Sequence, residues 1–146
     1  MYNDVIEERL KKLEKIVDYL EGIKDYNIDK FKVDYTLSSA LKHNLQIAIQ
    51  CILDIGNHII AIENLEKPNQ YKDIFLVLGK NKIIPMAFAN KINKMAGLRN
   101  ILIHIYMDID LDELISHLKK INDFKIFMKY IAEYLKNKEI KENKIK

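Results

Sequence analysis

Cysteine is nearly absent from this 146-residue chain: Cys51 stands alone, so no disulfide can form within it. A framework of the kind that staples small secreted domains is excluded, and a reducing compartment fits. Proline and glycine are also scarce, at 2 and 4 residues, which removes most of the punctuation that strands and tight turns require. Tryptophan is missing altogether. Neither sign of charge dominates. With 24 Lys and Arg against 21 Asp and Glu, the formal net charge is +3, which permits an RNA or acidic partner without demanding one. No run resembles a secretory leader or the roughly 20 consecutive apolar residues of a membrane span, so a soluble, cytoplasmic protein is expected.

What is present points to helices. Hydrophobic residues make up 49% and charged residues 31%, a globular balance with enough apolar material for one core. Ile6, Leu10, Leu13, Val17 and Leu20 recur at alternating spacings of four and three, the mark of an amphipathic helix. Glu7-Lys11 and Glu8-Lys12 are expected as ion pairs on its polar face, and residues 25–29 read as a connection. Leu37, Leu41, Leu45, Ala48, Ile52, Ile55, Ile59 and Ile62 carry a second, longer helix, with Asp34 and Thr36 as start signals. At about 30 residues it would be about 45 Å long, more than a small core needs, which suggests packing against a second subunit. Gly56 within it weakens the helix or admits a close neighbour. His43 and His58 are about 22 Å apart along that axis, too far to share a metal, and read as surface or hydrogen-bonded residues. Cys51 reads as buried and structural.

A short helix is expected from Tyr71 to Leu78, ended by Gly79, and the next begins with Pro85 in its first turn. A last helix carries Leu111 to Leu135. The expected architecture is therefore all-α, an antiparallel bundle of four main helices plus a short fifth, dimeric, over 1–138. Residues 139–146 read as a polar C-terminal tail.

One stretch breaks the pattern. Phe88, Ile92, Met95, Arg99, Leu102 and Tyr106 follow four-three spacing, so Arg99 takes a core-facing position among Leu98, Ile101, Ile103 and Ile105. An uncompensated buried guanidinium costs several kcal/mol, or about as much as breaking a buried ion pair. On a regular helix Arg99 and Tyr106 lie about 20° apart and His104 about 140° from Arg99. His104 joins them only if the helix ends or distorts there, or if a second subunit completes the site. The plain alternative is an Arg99 paired with an acid such as Asp54 or Glu63 in a bundle that carries no site.

The set Arg99, Asn100-Ile101-Leu102-Ile103, His104, Ile105, Tyr106 resembles the motif of the HEPN domain family, in its HepT-type toxins associated with minimal nucleotidyltransferases. The likeness extends to His43-Asn44, Cys51-Ile52-Leu53-Asp54, Ile84-Pro85 and Lys94-Met95-Ala96-Gly97, and so covers most of the chain. The resemblance implies a metal-independent RNA endonuclease, the toxin of a type II or type VII-like toxin-antitoxin pair, acting as a homodimer without cofactor. Arg99 and His104 would be catalytic. Asn100 would orient the phosphate or the imidazole, or only pack the helix. Tyr106 would accept adenylate from a nucleotidyltransferase antitoxin, or serve as a structural tyrosine. A non-catalytic helical accessory subunit of a nucleotidyltransferase is the alternative. No phosphate-binding glycine loop, metal-ligand spacing or nucleophile elbow competes.

Overall fold

The computed structural model describes residues 2–104 and 110–145, with side chains from Asp4 to Lys144 within those limits. Seven helices account for the described secondary structure, two more than the sequence pattern suggests. The first, α1 (Tyr2–Ile23), buries Ile6, Leu13, Ile16, Val17, Leu20 and Ile23 along one stripe. Its expected Glu7-Lys11 and Glu8-Lys12 pairs do not close; Glu8 instead approaches the neighbouring Arg9, at 4.0 Å.

The connection at 25–29 leads into a short helix, α2 (Ile28–Val33), capped where Asp29 N–H donates to the Asn27 side chain at 3.1 Å. Six residues are too few for a periodic signal, and Phe31 alone is buried. Asp34 then caps α3 (Tyr35–Ile62), accepting from Leu37 N–H at 3.0 Å. At 28 residues α3 is the axis of the fold and packs against α1, α2, α4, α5 and α7. It is long and apolar enough to pass a length-and-composition test for a membrane span, but 56% of its most apolar window is buried in the bundle. Its apolarity is that of a core helix.

Helix α4 (Tyr71–Lys80) crosses α3 at Gly56, where a Cβ would stand 2.6 Å from Ile74 Cγ2. The glycine is therefore the condition for this approach. Gly79 does not end α4 but lies inside it, against Met86 and Ala89 of α5 (Met86–Ile103), and the chain turns at Asn81 and Lys82. Pro85 sits one place before α5, as its N-cap residue, rather than in its first turn.

The expected single C-terminal helix is two, α6 (Leu111–Leu118) and α7 (Asn122–Ile145). Leu118, Ile121, Phe124 and Phe127 are all fully buried. Three-residue steps on an unbroken α-helix drift by about 60° each, so the first and last of these would face opposite ways. The break at 119–121 lets all four reach one core. Helix α7 also runs on through the stretch expected as a tail, its last turns exposed. Lys138 and Tyr134 of α7 bond to Glu63 at the end of α3.

Candidate functional site

Helix α5 buries Phe88, Ile92, Met95 and Leu102, as its spacing predicts, but Arg99 is not in the core with them. It lies half-buried at the edge of the stripe, where α5 passes α3 and α4. Its Nε donates to Oε1 of Gln50 on α3 at 3.2 Å, and its Cζ lies 3.9 Å above the ring of Tyr71, the first residue of α4. Gln50 is held in turn, its Nε2 donating to Asp54 Oδ1 at 2.8 Å, while the other oxygen of Asp54 lies 3.7 Å from Arg9 Nε on α1. Four helices thus converge on one polar chain: Tyr71, Arg99, Gln50, Asp54 and Arg9.

Both immediate partners of Arg99 are neutral. Among the described residues no carboxylate lies within 4.0 Å of it, and its two terminal nitrogens make no hydrogen bond. The acids that a purely structural role would require are engaged elsewhere, Asp54 by Gln50 and Arg9, and Glu63 by Lys138 and Tyr134. Burial acts to raise the Glu63 carboxyl, and the hydrogen bonds from Lys138 and Tyr134 outweigh it, so the group is held below its usual range. An amide and an aromatic face orient a guanidinium without neutralising it. The Arg99 charge is kept.

Helix α5 ends where the histidine begins. Ile103 is its last residue, and His104 is the C-cap, with φ −96° and ψ 45° and its N–H donating to Ile101 O at 3.2 Å. Because α5 is helical up to Ile103, His104 still starts about 140° from Arg99 around the axis. His104 and Asn100 are exposed, and Ile103 is 42% exposed. Tyr106 lies outside the described residues.

Away from this edge, Cys51 is buried, and burial followed by the nearby Asp54 charge pushes its thiol upward, which leaves it inert as the sequence suggests. His43 is exposed and His58 half-buried. Among the described residues no three His, Cys, Asp or Glu gather in a metal-binding group.

The motif on which a family likeness was expected thus shows, in its described part, a half-buried arginine with uncharged supports and a histidine at the helix end. The sequence profile of the family described as ribonuclease HepT-like matches residues 6–131. The chain belongs to this family. It is 29% identical over 130 residues to the mRNA nuclease HepT of Shewanella oneidensis, covering 88% of this chain and 97% of that one. It is 26% identical over 132 residues to the tRNA nuclease HepT of Aphanizomenon flos-aquae, covering 90% of each. Its fold matches the tri-AMPylated Shewanella oneidensis HEPN toxin, solved in complex with an MNT antitoxin. There the TM-score is 0.79 at 28% identity, over 89% of this chain and 98% of that chain. Within a HepT-like protein the roles of Gln50 and Tyr71 are the part that sequence reading missed. They stand 49 and 28 positions from Arg99 and show no pattern with it, and Gln50 is one of several polar residues on α3, so nothing in the sequence marks it.

Proposed function

We propose that this HepT-like protein is a metal-independent RNA endonuclease toxin, acting in the cytoplasm as a homodimer and silenced by a nucleotidyltransferase antitoxin. One observation carries the reading: Arg99 is positioned by neutral partners and retains its charge and both terminal nitrogens for a ligand. Those two nitrogens form the fork that suits two oxygens of a phosphodiester.

The chemistry follows from what RNA provides. The 2′-hydroxyl oxygen attacks the adjacent phosphorus, a base takes its proton, and the bond to the 5′-oxygen breaks as that oxygen is protonated. Products are a 2′,3′-cyclic phosphate and a 5′-hydroxyl. Arg99 stabilises the charge on the phosphorane oxygens. His104 belongs to the residue type that titrates near neutral pH and is exposed at the helix end, so it suits proton transfer. One chain has one motif histidine. In a two-fold dimer His104 serves as base and the partner subunit's His104 as acid. Asn100, exposed beside Arg99, orients the phosphate or the imidazole. Tyr106 is the acceptor of adenylate, and its modification silences the nuclease. Support for the partner comes from the structural relative, which is AMPylated and bound to an MNT antitoxin. The relatives named as an mRNA nuclease and a tRNA nuclease support RNA as substrate.

The deciding experiment compares purified wild type with His104→Ala on mRNA and tRNA in the presence of a chelator, with sedimentation to report the oligomer. Wild type cleaves, and the variant stays dimeric and inactive. Unchanged cleavage by the variant removes His104 from the mechanism. A wild type that cleaves nothing but still binds a nucleotidyltransferase is an accessory subunit. Incubation with a minimal nucleotidyltransferase and ATP should add adenylate to wild type and not to Tyr106→Phe.

A further inference from the structure

A groove of about 550 Å³ runs between α1 and α3. Its walls include Arg9, Lys11, Lys12 and Lys15 from α1 and Ile47 and Gln50 from α3. Gln50 is thus shared: it borders the groove and accepts the hydrogen bond of Arg99. The groove therefore adjoins the residue that supports the phosphate-binding arginine.

Its charges are unevenly used. The two carboxylates in the lining, Glu8 and Asp54, both approach Arg9, at 4.0 and 3.7 Å. Lys11, Lys12 and Lys15 have no carboxylate within 4.0 Å among the described residues, although Glu7 and Glu8 stand one helical turn away in sequence. All three lysines are exposed. Three unneutralised ammonium groups along one side of a trough that shares Gln50 with Arg99 form a track of positive potential. Flexible lysines suit the backbone of a single strand, which offers repeated phosphates and no fixed bidentate geometry. The groove shares Gln50 with the support of Arg99, the residue proposed to hold the scissile phosphate, which favours phosphates over carboxylates as the ligand of these lysines.

We propose that the α1–α3 groove is a second RNA subsite, holding backbone phosphates of the strand that flanks the scissile one, with Lys12 and Lys15 as its main contacts. This rests on the ribonuclease reading of Arg99 and His104, but it concerns binding, and binding tests it separately.

The test uses the dimeric full chain carrying His104→Ala, so that bound RNA survives, and a fluorescein-labelled single-stranded RNA of about 12 nucleotides. Adding Lys12→Glu and Lys15→Glu should weaken binding about tenfold near 0.1 M salt, the order expected when two ammonium–phosphate attractions become two repulsions. The neutral pair Lys12→Gln and Lys15→Gln should flatten the salt dependence by about 1.4 in log–log slope, or about 0.7 per single-strand phosphate neutralised. In the otherwise wild-type chain, the same changes should leave cleavage of a dinucleotide intact while raising KM for the longer RNA. Unchanged binding of the longer RNA overturns the proposal. So does an equal loss on the dinucleotide, which would place the lysines at the scissile phosphate. Dissociation of the dimer would make the groove a subunit seam, and a loss confined to nucleotidyltransferase binding would make it a protein-docking face; either result overturns the RNA subsite. If wild type cleaves no RNA, the ribonuclease reading falls, and the salt-dependent binding still decides the groove.

Discussion

The two ends of α5 treat positive charge in opposite ways. Near its start, Lys91 reaches Asp123 of α7 at 3.3 Å, and that carboxylate is only 4% exposed. Near its end, Arg99 meets the amide of Gln50 and the ring of Tyr71 and no acid among the described residues. The first contact uses a charge to join two helices. The second holds a charge in place and leaves it available. A cation kept only for stability gains more from a carboxylate than from an amide, because hydrogen bonds between two charged groups are the stronger ones. Among the described residues, the supports of Arg99 carry no opposite charge.

That contrast is open to attack, and the strongest blow falls on Arg99 itself. Arg99→Ala should lower RNA cleavage by about 10²- to 10³-fold, the order seen when one donor to a developing oxyanion is lost. Its urea midpoint should move little, since only one hydrogen bond and one half-exposed ring contact disappear. A large loss of stability with proportionate loss of activity would mean that Arg99 is a structural residue after all.

Gln50→Glu makes the end of α5 resemble its start. The guanidinium then meets a carboxylate and is neutralised, and cleavage should fall about tenfold, mostly as a rise in KM, equivalent to about 1.4 kcal/mol. Gln50→Met, which removes the acceptor without adding charge, should lower kcat more than KM, because it loosens the guanidinium without neutralising it. Steady-state kinetics on one RNA separate the two, and identical behaviour would show that neutrality of the support is irrelevant.

Asp123→Ala tests the other end. It should cost about 1 kcal/mol of stability, the upper range for a partly exposed pair, with cleavage per folded molecule unchanged. Denaturant titration beside an activity assay checks both halves of that statement.

The smallest effect concerns His117 on α6, whose Nδ1 is buried with no hydrogen-bond partner among the described residues. Burial first, then the charge of Lys120, lowers its pKa from 6.5. Between the folded value and 6.5 the unfolded chain binds the proton more readily, so stability falls as pH drops below 6.5. His117→Gln should flatten that slope in urea midpoints and leave the chemistry of the α5 end untouched.

Much of this molecule was legible residue by residue. The α1 and α3 stripes follow from spacing alone, while the choice of Asp34 over Thr36 as cap and of close approach over mere weakening at Gly56 came from the structure. Helix α5 stops at Ile103, so His104 stands as its C-cap rather than within it. The short α2 escaped because one buried Phe makes no period. The α6–α7 break escaped because the apolar residues from Leu111 onward look continuous until their three-residue steps are followed around the helix. The core-facing placement of Arg99 was displaced to the edge, where a half-exposed guanidinium avoids the cost of full desolvation.

Local sequence determined the helices, their caps and the membership of an arginine and a histidine in one helix end, because each depends on neighbours within a turn or two. It also determined the family. Tertiary structure alone decided what supports Arg99. An amide 49 positions away has no charge to betray the pairing, and an aromatic ring 28 positions away acts through its face. Such partners are chosen by how α3, α4 and α5 cross, and that crossing is set by packing at sites such as Gly56 rather than by the polar residues themselves.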